Sequence, residues 1–220
     1  YVGVCKDYSM TSIKRMEYLQ KVLDEINAYK IDGDYVECGV WRGGSSMLMA
    51  YDIINHNKKN KLWMYDTFKG MTKPCDYDVS LRTNKPAIGR WMDSDSDGFN
   101  RWCFAPLELV KKNIFSTGID EDKVRYIEGD VCDTLNKKHP NFEENVPERI
   151  SVLRLDVDFY HATHACLKAL FKKVVPCGYL ILDDYKKWKG AREATDLYFN
   201  SKSLEKDFIH IDDSAVAYRI

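Results

Sequence analysis

In the stretch SMTSIKRMEYLQKVLDEINAYK the apolar side chains Ile13, Met16, Leu19, Leu23 and Ile26 recur every three or four positions. That is the period of an amphipathic helix. A Ser or Thr just ahead of the run can cap the free amides, so the pattern predicts an opening helix over about residues 9–30. After Gly33 the period changes. DYVECGV reads as a strand, SSMLMAYDIINHN as a helix and KLWMYDTF as a strand, because short apolar runs suit strands and the longer three-to-four repeat suits a helix. The alternation resumes after an irregular tract. LELVKKNIFSTG reads as helix, VRYIEGDV and ISVLRLDVDF as strands, ATHACLKALFKKV as helix, GYLILDDY as strand and GAREATDLYFN as helix, and two short strands, FIHID and AVAYRI, close the chain. Repeated strand and helix predict an α/β fold, an open and mostly parallel sheet with helices on both faces, since each crossover returns over the sheet in the right-handed sense. Ligands of such sheets bind beyond the carboxyl ends of the strands.

The tract from about Met71 to Phe104 holds Pro74, Pro86, Gly89 and Gly98 among many charges and sustains neither period. It is longer than the roughly 12–15 residues at which structureless loops become uncommon. It is expected to be a lid or substrate-binding insertion on a single domain spanning residues 1–220; the alternative is a short helix hidden within it. The 33 basic and 34 acidic side chains nearly cancel, so no broad positive field draws in nucleic acid or an anionic membrane. No apolar run approaches the roughly 20 residues that span a bilayer. The seven cysteines are scattered singly without a C-x-x-C pair, which argues against zinc or a redox centre and for reduced, mostly core thiols in a cytoplasmic protein. The chain starts at Tyr1 rather than Met, which leaves upstream targeting open.

Chemistry concentrates in three places. In YVECGVWRGGSS, Glu37 and Gly39 end a strand and Gly43 and Gly44 precede a helix. Glycines admit a ligand close to the backbone and a helix start offers free amides to an anion. The spacing fits neither G-x-G-x-x-G nor a P-loop, and a tight structural turn is the other reading. Asp66 in MYDTF and Asp130 in IEGDV end two further strands. A single acid there is ordinarily solvated, but successive ones suit an adenosine-type ligand. Asp156 and Asp158 in LRLDVDFYHATHA, with Asp183 and Asp184 in ILDDY, are the densest group. Asp156, Asp183 and Asp184 fall at the ends of adjacent strands. Hard oxygen ligands select a hard cation, Mg²⁺ above all; the competing reading is acids solvated by water. Asp93, Asp95, Asp97 and Gly98 begin a calcium-loop pattern, yet Phe104 stands where that loop needs a bidentate Glu, which favours a solvated loop.

Taken in order, YVECGVWRGGSSMLMA, MYDTFKGM, IEGDVCDTL, LRLDVDFYHAT and GYLILDDYKKWKGAREATD resemble the TylF-type (macrocin) O-methyltransferase family. The resemblance covers about Tyr35 to Asp196 and implies a Rossmann-like class I methyltransferase fold with a seven-stranded sheet, dependent on S-adenosylmethionine and Mg²⁺. By position it implies that Glu37, Gly39, Gly43, Gly44 and Ser45 form the methionine side of the cofactor site, that Asp66 meets the ribose and that Asp130 lies near the adenine. It implies Asp156, Asp183 and Asp184 as metal ligands and Asp158 as general base. His161 and His164 lie nearby in the sequence and are the competing bases, the other reading for both being a helix face. The tract from Met71 to Phe104 matches poorly, so the acceptor, a hydroxyl of a sugar or glycosylated natural product, is not specified further. Two other readings compete: a haloacid dehalogenase-like phosphatase, whose D-x-D motif belongs on an early strand, and a non-catalytic binding module on the same fold. A homodimer is the expectation for an enzyme of this size.

Overall fold

The structure is a computed structural model and describes residues 1–220. A short helix α1 (Val2–Lys6) leads into α2 (Ile13–Ala28), capped by the Ser12 side chain, which accepts from the Arg15 amide. Met16, Leu19, Val22, Leu23 and Ile26 of α2 are buried, whereas Ile13, in its first turn, is exposed. There follow β1 (Asp34–Cys38), α3 (Gly44–Asn55), β2 (Leu62–Asp66), α4 (Ala87–Ser94), β3 (Asp95–Ser96), β4 (Phe99–Asn100) and α5 (Leu107–Phe115). The second half contains β5 (Val124–Glu128), α6 (Val131–Thr134), β6 (Ile150–Leu155), α7 (Tyr160–Leu170), β7 (Val174–Leu182), α8 (Lys189–Ser201), β8 (Ile209–His210) and β9 (Val216–Arg219).

Seven strands form one sheet in the order β5-β2-β1-β6-β7-β9-β8. The first five are parallel; β9 runs antiparallel to both β7 and β8. The chain builds outward from β1 to β2 and β5, then crosses back to lay β6 on the other side of β1. That reversal opens a crevice at the carboxyl ends of β1 and β6, the position where open sheets bind ligands. Every residue of β6 is buried, as expected of a parallel strand covered on both faces. Val152 faces the layer of α2, α3 and α5, while Leu153 and Leu155 face the layer of α7 and α8.

The tract from Met71 to Phe104 is more structured than its sequence predicts. It contains α4 and the β3–β4 hairpin. A small apolar cluster of Ala87, Trp102, Phe159, Trp188 and Ala191 ties it to α8 and to the loop after β6. Asp78, buried, accepts from the Tyr160 amide at 2.8 Å and the Cys75 amide at 2.8 Å, and a side chain at Gly190 would lie 2.0 Å from its carboxylate. All seven cysteines are free; Cys5, Cys38 and Cys166 are buried, but Cys177 is exposed and the other three are half-buried, fewer in the core than expected. No helix is long and apolar enough to cross a membrane.

Candidate active site

The turn after β1 is set by contact with the turn after β6. Gly39 has φ +84°, and a Cβ there would stand 1.9 Å from the Asp156 carbonyl oxygen, so no other residue fits. The strand ladder runs on past the strand ends: the Asp156 amide donates to the Cys38 carbonyl at 2.8 Å and the Asp183 amide to the Leu155 carbonyl at 2.9 Å. This register places Asp156 and Asp183 side by side at the crevice.

The residues expected on the cofactor divide into two groups. Gly39, Asp66 and Asp130 line one cavity of about 70 Å³, together with Met71, Gly129 and Asp156. Asp66 accepts from the amides of Val40 (2.7 Å), Trp41 (3.1 Å) and Phe68 (2.8 Å). Burial pushes its pKa above the ordinary carboxylate value, against the pull of these bonds. Asp130 caps α6 by accepting from the Cys132 amide at 2.8 Å. Glu37, Gly43, Gly44 and Ser45 stand outside this cavity's wall. Gly43, at φ +92°, is the N-cap of α3. The Gly44 amide donates to the Tyr8 carbonyl at 3.0 Å, and a Cβ on it would meet the Cys5 carbonyl at 2.6 Å. The segment around α1 therefore covers the start of α3, and Ser45 is buried beneath it. Glu37 is buried against Arg154, at 2.7 Å, and the Ser46 hydroxyl; burial pushes its pKa up to about 7.

Three of the four clustered acids, Asp156, Asp158 and Asp183, line a second, larger cavity of about 340 Å³ together with Arg15 and Lys187, whereas Asp184 is buried outside its wall. Asp156 thus belongs to both cavities. Carboxylate oxygens of Asp156, Asp183 and Asp184 lie within 4.8 Å of one another. Beside Asp156 and Asp183 is Arg154, 2% exposed, whose guanidinium donates to Glu37, to Asp156 at 2.9 Å and to Asp183 at 2.5 Å. Thr11 and Arg15, far away in sequence, also donate to Asp183, and Arg15 pairs with Asp212 at 2.9 Å. Lys187 reaches Asp184 at 3.1 Å and Asp158 at 3.4 Å, and the first of these contacts raises its pKa most. Asp158 adopts φ +56°, a left-handed conformation that a non-glycine residue takes at a cost. Its Oδ1 also accepts from the Trp188 indole at 2.5 Å.

Charge is not balanced here. Glu37, Asp156, Asp158, Asp183 and Asp184 offer five carboxylates to the three cations Arg15, Arg154 and Lys187. Burial first, and the neighbouring Asp183 second, raise the Asp156 pKa; burial and then Asp158 raise that of Asp184. Asp184 Oδ2 is buried without any hydrogen-bond partner, and such atoms call for an explanation by a bound ion or water. By contrast, Asp93, Asp95 and Asp97 are exposed on α4 and the hairpin, as a solvated loop should be. His161 and His164 lie on α7 beside the Tyr160 ring and line neither cavity.

Sequence reasoning missed Arg154, Arg15, Thr11, Lys187 and Trp188. Only Arg154 carried a readable signal: one arginine inside the apolar run ISVLRLDV has to meet buried acids, because an unpaired buried charge is too costly.

Residues 5–220 match the model of the Macrocin-O-methyltransferase (TylF) family. The chain belongs to this family. As a TylF-family protein it is an S-adenosylmethionine-dependent O-methyltransferase. It is 31% identical over 213 residues to the 8-demethyl-8-(2,3-dimethoxy-alpha-L-rhamnosyl)-tetracenomycin-C 4'-O-methyltransferase of Streptomyces olivaceus, covering 96% of this chain and 75% of that protein. Mycinamicin III 3''-O-methyltransferase of Micromonospora griseorubida is 29% identical over 220 residues, at 96% and 78% coverage. The solved structure of the O-methyltransferase NovP superposes with a TM-score of 0.80 at 27% identity, covering 96% of this chain and 81% of that one. The calicheamicin methyltransferase CalS11, at 15% identity and a TM-score of 0.72, shares the fold. The phosphatase reading is not favoured.

Proposed function

We propose that this TylF-family enzyme transfers the methyl group of S-adenosylmethionine to a hydroxyl of a sugar or glycosylated natural product, and that it requires Mg²⁺. The observation that carries the reading is the position of Asp156 on both cavities. The smaller one, with Asp66 and Asp130, suits the nucleoside end of the cofactor; the larger one, with Asp158 and Asp183, suits the acceptor. The methyl group would pass at the junction between them.

Asp156, Asp183 and Asp184 would hold the metal. The fit is supported by the partnerless Asp184 Oδ2 and by the surplus of carboxylates over cations, since hard oxygens select a hard cation. When bound, Mg²⁺ supplies Lewis acidity that lowers the pKa of an acceptor hydroxyl and helps to orient it. The remaining work falls to side chains of the chain itself. Asp66 would accept from the ribose hydroxyls, and Asp130 would lie at the adenine. Gly39 brings the backbone close to the cofactor, with Gly43, Gly44 and Ser45 behind it at the start of α3. Glu37 acts through Arg154, which it helps to aim at Asp156 and Asp183. Asp158 would take the hydroxyl proton: Trp188 and Lys187 both hold its Oδ1, which fixes the direction of the carboxylate.

The test is incubation with labelled S-adenosylmethionine, a panel of glycosides and Mg²⁺, with and without EDTA. Methyl transfer should stop on chelation, return with added Mg²⁺ and be lost in Asp156→Ala and Asp183→Ala, while cofactor binding survives. Full activity in EDTA after exhaustive dialysis refutes the metal requirement.

A further inference from the structure

The acidic cavity has a basic mouth. Arg90, on α4, and Arg101, just after β4, both line the larger cavity and both are exposed, whereas Asp156, Asp158 and Asp183 form its deeper wall. The ion pairs around this cavity are made by Arg15, Arg154 and Lys187 and involve neither of the two rim arginines. Arg90 stacks on the Trp102 ring, 4.3 Å from its centroid. Arg101 donates one bond, 3.0 Å long, to the Asp93 carbonyl. Stacking on an aromatic face fixes the plane of a guanidinium while leaving its edge N–H groups free.

Two guanidinium groups without carboxylate partners can donate to a neutral hydroxyl, but they gain most from an anion. For an oxyanion they provide the fork geometry that binds phosphate and carboxylate in charge-assisted pairs. The deeper wall would repel the same oxyanion, so an anionic acceptor has one favourable orientation: charge at the mouth, hydroxyls at the floor. The cavity volume, about 340 Å³, is at the small end for a ligand pocket, which suits one sugar with its charged substituent reaching the opening. We propose that the acceptor is an anionic sugar whose phosphate or carboxylate group is bound by Arg90 and Arg101. This specificity rests on the methyl-transfer reading of the same cavity.

The test measures affinity and turnover separately. Titration calorimetry on the chain loaded with S-adenosylhomocysteine compares a hexose 1-phosphate, a nucleoside-diphosphate hexose, a hexuronate methyl glycoside and a neutral methyl hexoside. At least one anionic sugar should bind tenfold or more tightly than the neutral one, and the arm with the largest gain tells phosphate from carboxylate. The gap should narrow as ionic strength rises from about 0.05 to 0.5 M. It should close in Arg90→Gln/Arg101→Gln, with folding checked by thermal unfolding and by S-adenosylhomocysteine affinity. Equal affinity for the neutral sugar, or a gap that survives in the double variant, overturns the proposal. Labelled methyl transfer separates the two readings. Transfer to neutral glycosides at equal affinity sinks the anionic acceptor alone. An anionic preference that depends on both arginines but leads to no transfer upholds the rim assignment and sinks the methyl-transfer reading.

Discussion

Arg154→Met tests the charge balance at the centre of the site. The guanidinium is buried and contacts Glu37, Asp156 and Asp183, so the substitution leaves three carboxylates facing one another across an apolar side chain. Breaking a buried ion pair by removing one partner costs about 3–5 kcal/mol. For a chain of this size each kcal/mol lowers the Tm by roughly 2–4 °C, which gives a loss on the order of 10 °C at pH 7.5. The loss should depend on pH with a defined sign. Glu37 already has its pKa raised by burial to about 7, and Arg154 is among the groups that pull it down, so removing Arg154 raises it further. A carboxyl with a raised folded-state pKa binds more protons folded than unfolded, so stability falls as pH rises from the unfolded value, roughly 4.3, through the folded one. Acidification should therefore recover part of the loss. The assay is thermal unfolding of wild type and variant from pH 5 to 8 in EDTA, followed by near-UV circular dichroism. A variant that loses less than about 1 kcal/mol at pH 7.5, or whose deficit does not shrink toward pH 5, refutes the claim that Arg154 neutralises this cluster.

Asp66→Ala should weaken S-adenosylmethionine binding by roughly 1.5–3 kcal/mol, the worth of hydrogen bonds to a charged group; unchanged affinity in titration calorimetry removes Asp66 from the cofactor site. Asp158→Asn retains size but not basicity, so methyl transfer should fall by roughly 10²–10⁴ with S-adenosylmethionine and Mg²⁺ still bound. If that variant keeps its rate while His164→Ala loses it, the base has been misassigned. Trp188→Phe removes the indole N–H from Asp158 while preserving an aromatic ring against Trp102 and Phe159; kcat should drop with little change in KM or Tm, and a drop in Tm alone marks Trp188 as a packing residue.

The order of strands and helices was readable because nearly every long element carries its own period, and the sheet's burial on both faces made β6 and β7 apolar runs that end in acids. Acids at strand ends are readable for the same reason: a carboxylate inside such a strand needs a buried partner, as Glu37 has in Arg154, so an acid following an apolar run ordinarily marks the boundary. Helix α4 was not readable because eight residues between prolines and glycines show only two turns of pattern. The donors to Asp183 were hidden for a different reason. Thr11 and Arg15 precede it by 172 and 168 residues, and nothing local in a capped amphipathic helix says that its first turn will point at a distant strand end. Glu37 shows the limit of position alone: it lies one residue before the end of β1 and two before Gly39, near where a cofactor contact should be, yet alternation along the strand turns it toward Arg154.

The opening segment has a consequence for the boundaries of any shortened or hybrid version of this chain. A version beginning at β1 keeps all seven strands, both glycine turns and every acid of the cluster. It removes Thr11 and Arg15, however, two of the three donors to Asp183, and uncovers the amide of Gly44 that Tyr8 occupies. Exchanging residues 1–30 between relatives would thus alter the electrostatics of the crevice around Asp183 without touching a residue of the sheet, so the character of that crevice travels with the exchanged piece.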